Sequence, residues 1–268
     1  MNHNKNPKTE GFYNKSLERA LTILNAFDEE RNELTMVQLA KTVNLPKATV
    51  NRLCKTLTKY DFLTFDENTK KYSLGLKLFE LGAFVYSSFS LRKIADPHLD
   101  RLLEPGKTVF LGILQNGHAL YIDQRSDKSS DLRFISLIGK QRPPYYGAHG
   151  QILMAYLPED EAEELIRKFP LKALTKNSIT DYGQFKRRLT KIRANGYFVD
   201  DQETVTGITT VGAPIRNFSG VVVAAILIGF FSVSEDNNGL QRIIKKIVEA
   251  AAAISEAMGF KNKYEEKQ

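Results

Sequence analysis

Between Lys41 and Tyr60 the sequence carries Lys47, Thr49, Asn51, Arg52, Lys55, Thr56 and Lys59, and no acidic residue. Such side chains suit a polyanion whose surface also presents a pattern of donors and acceptors. Lysine and arginine meet phosphates or guanine edges, asparagine pairs with adenine, and threonine meets a phosphate or a thymine methyl. Spacing gathers them on one side of a helix, because Val50, Leu53, Cys54 and Leu57 recur at i, i+3, i+4 and i+7 and claim the other side for a core. The competing reading is a core helix with a merely solvated basic face.

The flanks specify how that helix is held. Thr35 and Gln38 form a capping box, so a short helix is expected from Met36, with Val37, Leu39, Ala40 and Val43 buried. Asn44-Leu45-Pro46 stops it, and Pro46 is placed to open the next helix, where its missing donor costs nothing. Helix, tight turn and basic second helix make a helix-turn-helix, whose second helix lies in the major groove of double-stranded DNA. Upstream, Leu17, Ala20, Leu21, Leu24 and Phe27 predict a helix from Ser16 that ends in Asp28-Glu29-Glu30. Downstream, residues 62–65 and 71–74 read as a hairpin wing whose tip carries Lys70 and Lys71, either phosphate contacts or simply solvated.

Leu74, Leu78, Leu81 and Val85 then step by four and three, the spacing of an a/d seam on a connecting helix at about 76–88. That seam could pack on its own chain or on another copy. A second helix is expected at 91–103. Beyond it come strands at 108–114, 119–124 and 132–138, with Asn116-Gly117 as a hairpin turn. Helices are expected at 151–157, 159–169, 182–195 and 240–258, and strands at 197–200, 208–215 and 221–230. The grouping implies an α+β chain with an antiparallel sheet and helices on its faces.

Composition narrows the function classes. A chain of 268 residues accommodates two domains, and a net charge of +7 favours a polyanionic partner. The start of the chain is polar, unlike a secretory signal, and no apolar run approaches the ~20 residues that span a bilayer, so a cytoplasmic protein without a membrane partner is expected. The single cysteine, Cys54, excludes an internal disulfide and reads as a core residue. His3, His98, His118 and His149 show no metal-ligand spacing, and neither a Gly-rich phosphate loop nor a nucleophile elbow is present. No metal, no cofactor and no enzymatic activity are expected.

The segments SLERALTILNAF, LPKATVNRLCKTL, YSLGLKLFELG and ANGYFVDDQETVTGITTVGAPIRNFSGVVVAAILIG resemble the IclR family of bacterial transcription regulators, over about residues 16–258. The resemblance implies an N-terminal winged helix-turn-helix domain, a helical linker and a C-terminal GAF-like α/β effector-binding domain. Boundaries on that plan are a tail at 1–14, a DNA-binding domain at 15–75, a linker at 76–104, an effector-binding domain at 105–260 and a tail at 261–268. It further implies a homodimer or dimer of dimers, a repressor and a pocket for a small effector; paired recognition helices suit a palindromic operator, and a small organic acid fits the helix-start amides and the tyrosines.

By matching motif, Asp200 stands where the family has an acid lining the effector pocket, with Ile208 and Thr210 on the strand behind it. Ala148, His149 and Gly150 occupy a loop leading into the next helix, where free amides suit an anionic group. The chain departs from the family there: Tyr145, Tyr146 and His149 narrow or re-polarise the mouth, and Gln151 replaces a lysine. For Asp200 a turn role competes with ligand contact, and for His149 a satisfied loop histidine competes. Two other function classes remain open on sequence: an enzyme with a basic interaction module, and a protein-interaction sensor whose winged domain reads no DNA.

Overall fold

The computed structural model describes residues 14–28, 30–88, 90–127 and 138–261, with the backbone alone for 83–88. It divides into two compact units, Met1–Ser88 and Phe89–Gln268.

In the first unit, helices α1 (Lys15–Leu24), α2 (Met36–Thr42) and α3 (Lys47–Lys59) pack beside a small antiparallel sheet. The sheet orders β1 (Leu34–Thr35), β3 (Lys71–Leu74) and β2 (Leu63–Asp66) as β1-β3-β2. The capping box forms as expected, since Gln38 N donates to Thr35 Oγ1 and Thr35 N donates to Gln38 Oε1. Asn14 is the N-cap of α1 rather than part of a tail, its side-chain oxygen accepting from Ser16 N and Leu17 N. Ile23, Leu39, Val50, Cys54 and Leu63 form the core. Burial pushes the Cys54 thiol up to about 11, so it is inert packing.

Two expected buried faces are corrected. Ile23 is the residue of α1 that points inward, and Leu21 lies roughly 160° round the helix from it at 100° per residue. Leu17 is therefore 60% exposed, and Leu21 and Val37 are also exposed. The α1 helix stops at Leu24, before the acidic cluster, and Ala26 and Phe27 fold inward from the turn. Strand β1, only two residues long, carried no alternation from which to foresee it. Helix α4 (Leu76–Ser88) closes the unit; of the seam positions Leu74 and Leu81 are exposed, Leu78 is half-buried and the side chain of Val85 lies outside the described residues, while Leu76 and Phe79 beside the seam are 78% and 74% exposed.

The second unit is a three-layer assembly. Its sheet contains β4 (Lys107–Gln115), β5 (His118–Ser126), β6 (Gln141–Arg142), β7 (Phe198–Asp201), β8 (Ile208–Arg216) and β9 (Val222–Phe231). All neighbours are antiparallel in the order β6-β5-β4-β9-β8-β7. Asn116 and Gly117 both take positive φ, as a tight hairpin turn between β4 and β5 requires. Helices α5 (Ser90–Leu102) and α9 (Asn237–Ala257) cover one face through Leu99, Leu111, Ile226 and Ile247. Helices α6 (Gly147–Ala155), α7 (Glu159–Lys168) and α8 (Tyr182–Asn195) cover the other through Phe110, Ile152, Phe185 and Leu227.

Strand alternation decides which residues meet α6. Along β8, Val211, Ala213 and Ile215 join the α5/α9 core, so Ile208, Thr210 and Gly212 point the opposite way. Gly212 does lie against Ile152 of α6. The α6 helix begins four residues before the expected 151, so Ala148, His149 and Gly150 are helical rather than loop. All nine of its residues are buried, so no apolar stripe marks its start. Strand β6 was not foreseen. The strand expected at 132–138 falls outside the described residues except for Ile138, which bridges to Tyr121.

Candidate functional site

The first site is the outer face of α3. Lys47, Asn51, Arg52, Lys55, Thr56 and Lys59 are exposed, while Val50 and Cys54 are fully buried. The i, i+3, i+4 packing of the inner face thus fixes which side chains the outer face can offer. Thr56 Oγ1 donates to Arg52 O at 3.0 Å, leaving its lone pairs outward. Thr49 is half-buried, in a cleft of about 140 Å³ that Ser16, Arg19 and Arg52 also line. It stands at the α1 side of the surface rather than at its centre.

The wing contributes less free charge than its sequence suggests. Lys70, in a left-handed turn conformation, pairs with Glu67 at 2.9 Å, and Lys71 pairs with Glu33 at 3.1 Å. Both pairs are solvent-exposed and worth on the order of 0–1 kcal/mol, so a phosphate can displace either carboxylate.

The second site lies in the other unit, under the start of α6. His149 is 0% exposed, and neither ring nitrogen has a hydrogen-bond partner. Its ring packs on Tyr121 of β5, centroids 4.0 Å apart, and lies directly over Gly112 of β4. A Cβ at Gly112 would come within 2.7 Å of the imidazole, so the strand must be bare there. Burial lowers the His149 pKa to about 3, so the ring is neutral at physiological pH. It is not the satisfied loop histidine of the competing reading. Burial also raises the Tyr121 hydroxyl, with Tyr146 and Asp200 adding to the shift and Arg142 opposing it.

Asp200 and Thr210 are cross-strand partners on β7 and β8, and they share with Ile208 the face that α6 covers. The Asp200 carboxylate, 2% exposed, is already engaged. It accepts from Glu203 N at 2.9 Å, Thr204 N at 3.2 Å and the Thr204 hydroxyl. Desolvation raises its pKa against those hydrogen bonds. Asp200 is thus a turn-forming acid. Glu203 pairs with Arg188 at 2.8 Å.

Structure therefore brings Tyr146, His149, Asp200 and the face bearing Ile208 and Thr210 around Tyr121, with Ala148 and Gly150 in the first turns of α6. Tyr146 is the N-cap of α6 and makes no side-chain cap, which leaves the first-turn amides without a side-chain acceptor. Gly150 must be glycine, since a Cβ would sit 2.2 Å from the Pro144 carbonyl oxygen folded over the helix. Sequence reasoning missed Tyr121 and Arg142. Tyr121 sits on an ordinary alternating strand, and Arg142 on a two-residue strand with no period at all. Among the described residues no group of histidine, cysteine and carboxylate side chains could hold a metal ion, and no helix is long and apolar enough to cross a membrane.

Residues 16–67 match the model of the IclR helix-turn-helix domain, and residues 83–256 match that of the bacterial transcriptional regulator IclR C-terminal domain. The chain is 31% identical over 247 residues to the HTH-type transcriptional regulator XynR of Escherichia coli, covering 92% of this chain and 98% of the relative. The structure of an IclR transcriptional regulator from Alicyclobacillus acidocaldarius superposes with a TM-score of 0.81 at 27% identity, covering 92% of this chain and all of that one. An IclR homolog from Microbacterium hydrocarbonoxydans, solved with 4-hydroxybenzoate, shares the fold at a TM-score of 0.77 and 22% identity, over 91% of this chain and 98% of that one. With both of its units matched, this chain belongs to the IclR family of bacterial transcriptional regulators, with a helix-turn-helix DNA-binding domain and no enzymatic role.

Proposed function

We propose that the protein is a ligand-responsive repressor that binds a palindromic operator as a dimer or dimer of dimers, in the cytoplasm where its DNA lies. The observation that carries this reading is the α3 outer face, exposed, basic and amide-bearing, with no carboxylate on the helix. Asn51 and Arg52 are the base readers; Lys47, Lys55 and Thr56 hold phosphates, helped by Thr49 on one flank and by Lys70 and Lys71 on the wing. The uncovered apolar residues Leu17, Leu21, Leu76, Phe79 and Leu81 support self-association, because a surface of that kind is costly to leave in water.

The effector is a small organic acid held near Tyr146, Ala148, His149, Gly150, Asp200, Ile208 and Thr210. Support comes from the buried, unpartnered imidazole beside the uncapped start of α6 and from the 4-hydroxybenzoate seen in a structural neighbour. The repressor sign follows relatives from Escherichia coli and Klebsiella pneumoniae that carry that name. A ligand shifts operator occupancy only by its difference in affinity between the bound and released states. Selection of operators from a random duplex library tests the whole reading. The expected result is an inverted repeat with half-sites spaced by whole helical turns; enrichment of nothing beyond random sequence would contradict it.

A further inference from the structure

We propose that Arg142, on the two-residue strand β6, is the cation that receives the effector's carboxylate and so sets the ligand's charge class. This rests on the reading of the C-terminal unit as the effector domain. Arg142 is the cross-strand partner of Ala119. The Ala119 methyl lies against the first turn of α6 at Gly150, so Arg142 shares the face on which the site is built. Its guanidinium stands 5.3 Å from the Tyr146 ring centroid, over the N-cap of α6. It lies close enough to Tyr121 to stabilise the ionised form of that hydroxyl.

The guanidinium is only partly engaged. Its Nε is buried with no hydrogen-bond partner, and the ring of Tyr146 is the group its guanidinium faces. Asp200, the acid nearest in kind, is held instead by the Glu203 amide and by Thr204. Arginine half-buried over an aromatic ring presents a fixed fork that fits a carboxylate in two hydrogen bonds. The α6 amides beside it add dipole to the same spot. A second unpartnered group, fully buried His149, packs on the Tyr121 ring. A neutral imidazole offers one donor and one acceptor, which suits a hydroxyl or carbonyl and not a second anion. The arrangement selects a monoanion: a carboxylate at Arg142 with a hydroxyl or keto oxygen toward His149.

The test is thermal shift and calorimetric titration of the full chain with glycolate, benzoate and 4-hydroxybenzoate, each beside its neutral primary amide. Wild type, Arg142→Gln and Arg142→Lys are compared. At least one acid should stabilise the wild type and its amide should not. Arg142→Gln should lose about tenfold or more of that affinity, and Arg142→Lys, which keeps the charge but not the fork, should lose less. Without ligand, Arg142→Gln should melt no lower than wild type, because the Nε it removes is buried without a hydrogen-bond partner. Equal acid binding by wild type and Arg142→Gln, no acid binding by the wild type, or a large unliganded destabilisation by Arg142→Gln would each overturn the assignment. Operator release, measured separately, divides the two readings. An acid that binds through Arg142 without changing operator affinity leaves the site standing and sinks the regulatory reading; an acid that releases operator equally from both proteins does the reverse.

Discussion

The two sites are built on opposite logic. The α3 surface offers exposed cations and amides and spends its burial on Val50 and Cys54 behind them, whereas the α6 site buries the His149 imidazole and Arg142 Nε without hydrogen-bond partners. An exposed polar group costs nothing without its ligand, since water satisfies it. A buried one, such as the imidazole of His149 or Nε of Arg142, is destabilising until something meets it. On the proposed reading, the α3 surface tolerates substitution in stability and loses recognition, while the α6 site couples the two. Ligand binding is then also a stability event, and that difference can be measured.

The largest effects should fall on recognition. Arg52→Ala and Asn51→Ala should each cost about 1–3 kcal/mol at one base pair of the operator, with melting temperature unchanged because both side chains are exposed. Fluorescence anisotropy against single-base operator variants reads this; an equal loss on operator and random duplex would demote them to phosphate contacts. Gly112→Ala should behave in the reverse manner. Its Cβ must displace the buried ring of His149, costing about 1–3 kcal/mol of stability while unliganded operator affinity holds. Chemical denaturation beside a binding titration separates the two outcomes.

A smaller effect concerns pH. The unfolded imidazole takes up a proton near 6.5 and the folded one only near 3, so across that window the unfolded state binds more protons and stability falls as pH falls. Asp200 acts with the opposite sign, because its raised folded pKa favours folding at low pH and loses that advantage as pH rises through it. His149→Gln should therefore flatten the acid-side loss between pH 6.5 and 3 in thermal melts, and an unchanged slope would place the proton uptake elsewhere. Smallest of all, Lys70→Ala should weaken operator and random duplex alike and lower the salt slope by about 1. A change in base preference instead would make the wing a reader.

The same contrast explains what could be read from the chain. The α3 face was legible because an exposed surface is the complement of a periodic core, and Val50, Leu53, Cys54 and Leu57 announce that core. Helix α8 was legible end to end, since Asp181 and Gly196 cap it. The start of α6 was not, because a helix buried on every side has no stripe and its glycines read as turn. Gly147 is there for its left-handed φ, and Gly150 so that the chain before α6 can fold tightly over it. Tyr121 and Arg142 lie far from Asp200 in sequence and on strands that are not neighbours of β7, so no local pattern links them to it. The exposed Leu17 and Leu21 were misjudged because apolar spacing states that a face is to be covered and not by which molecule.

The central claim, that α3 reads sequence, is tested most directly by binding of the purified protein to the DNA flanking its own gene and to random duplex over a range of salt. The account predicts tight, selective binding with a steep salt slope, and loss of the selectivity but not of the slope in Arg52→Ala. Equal binding of the two duplexes by the wild type at every salt concentration would contradict it.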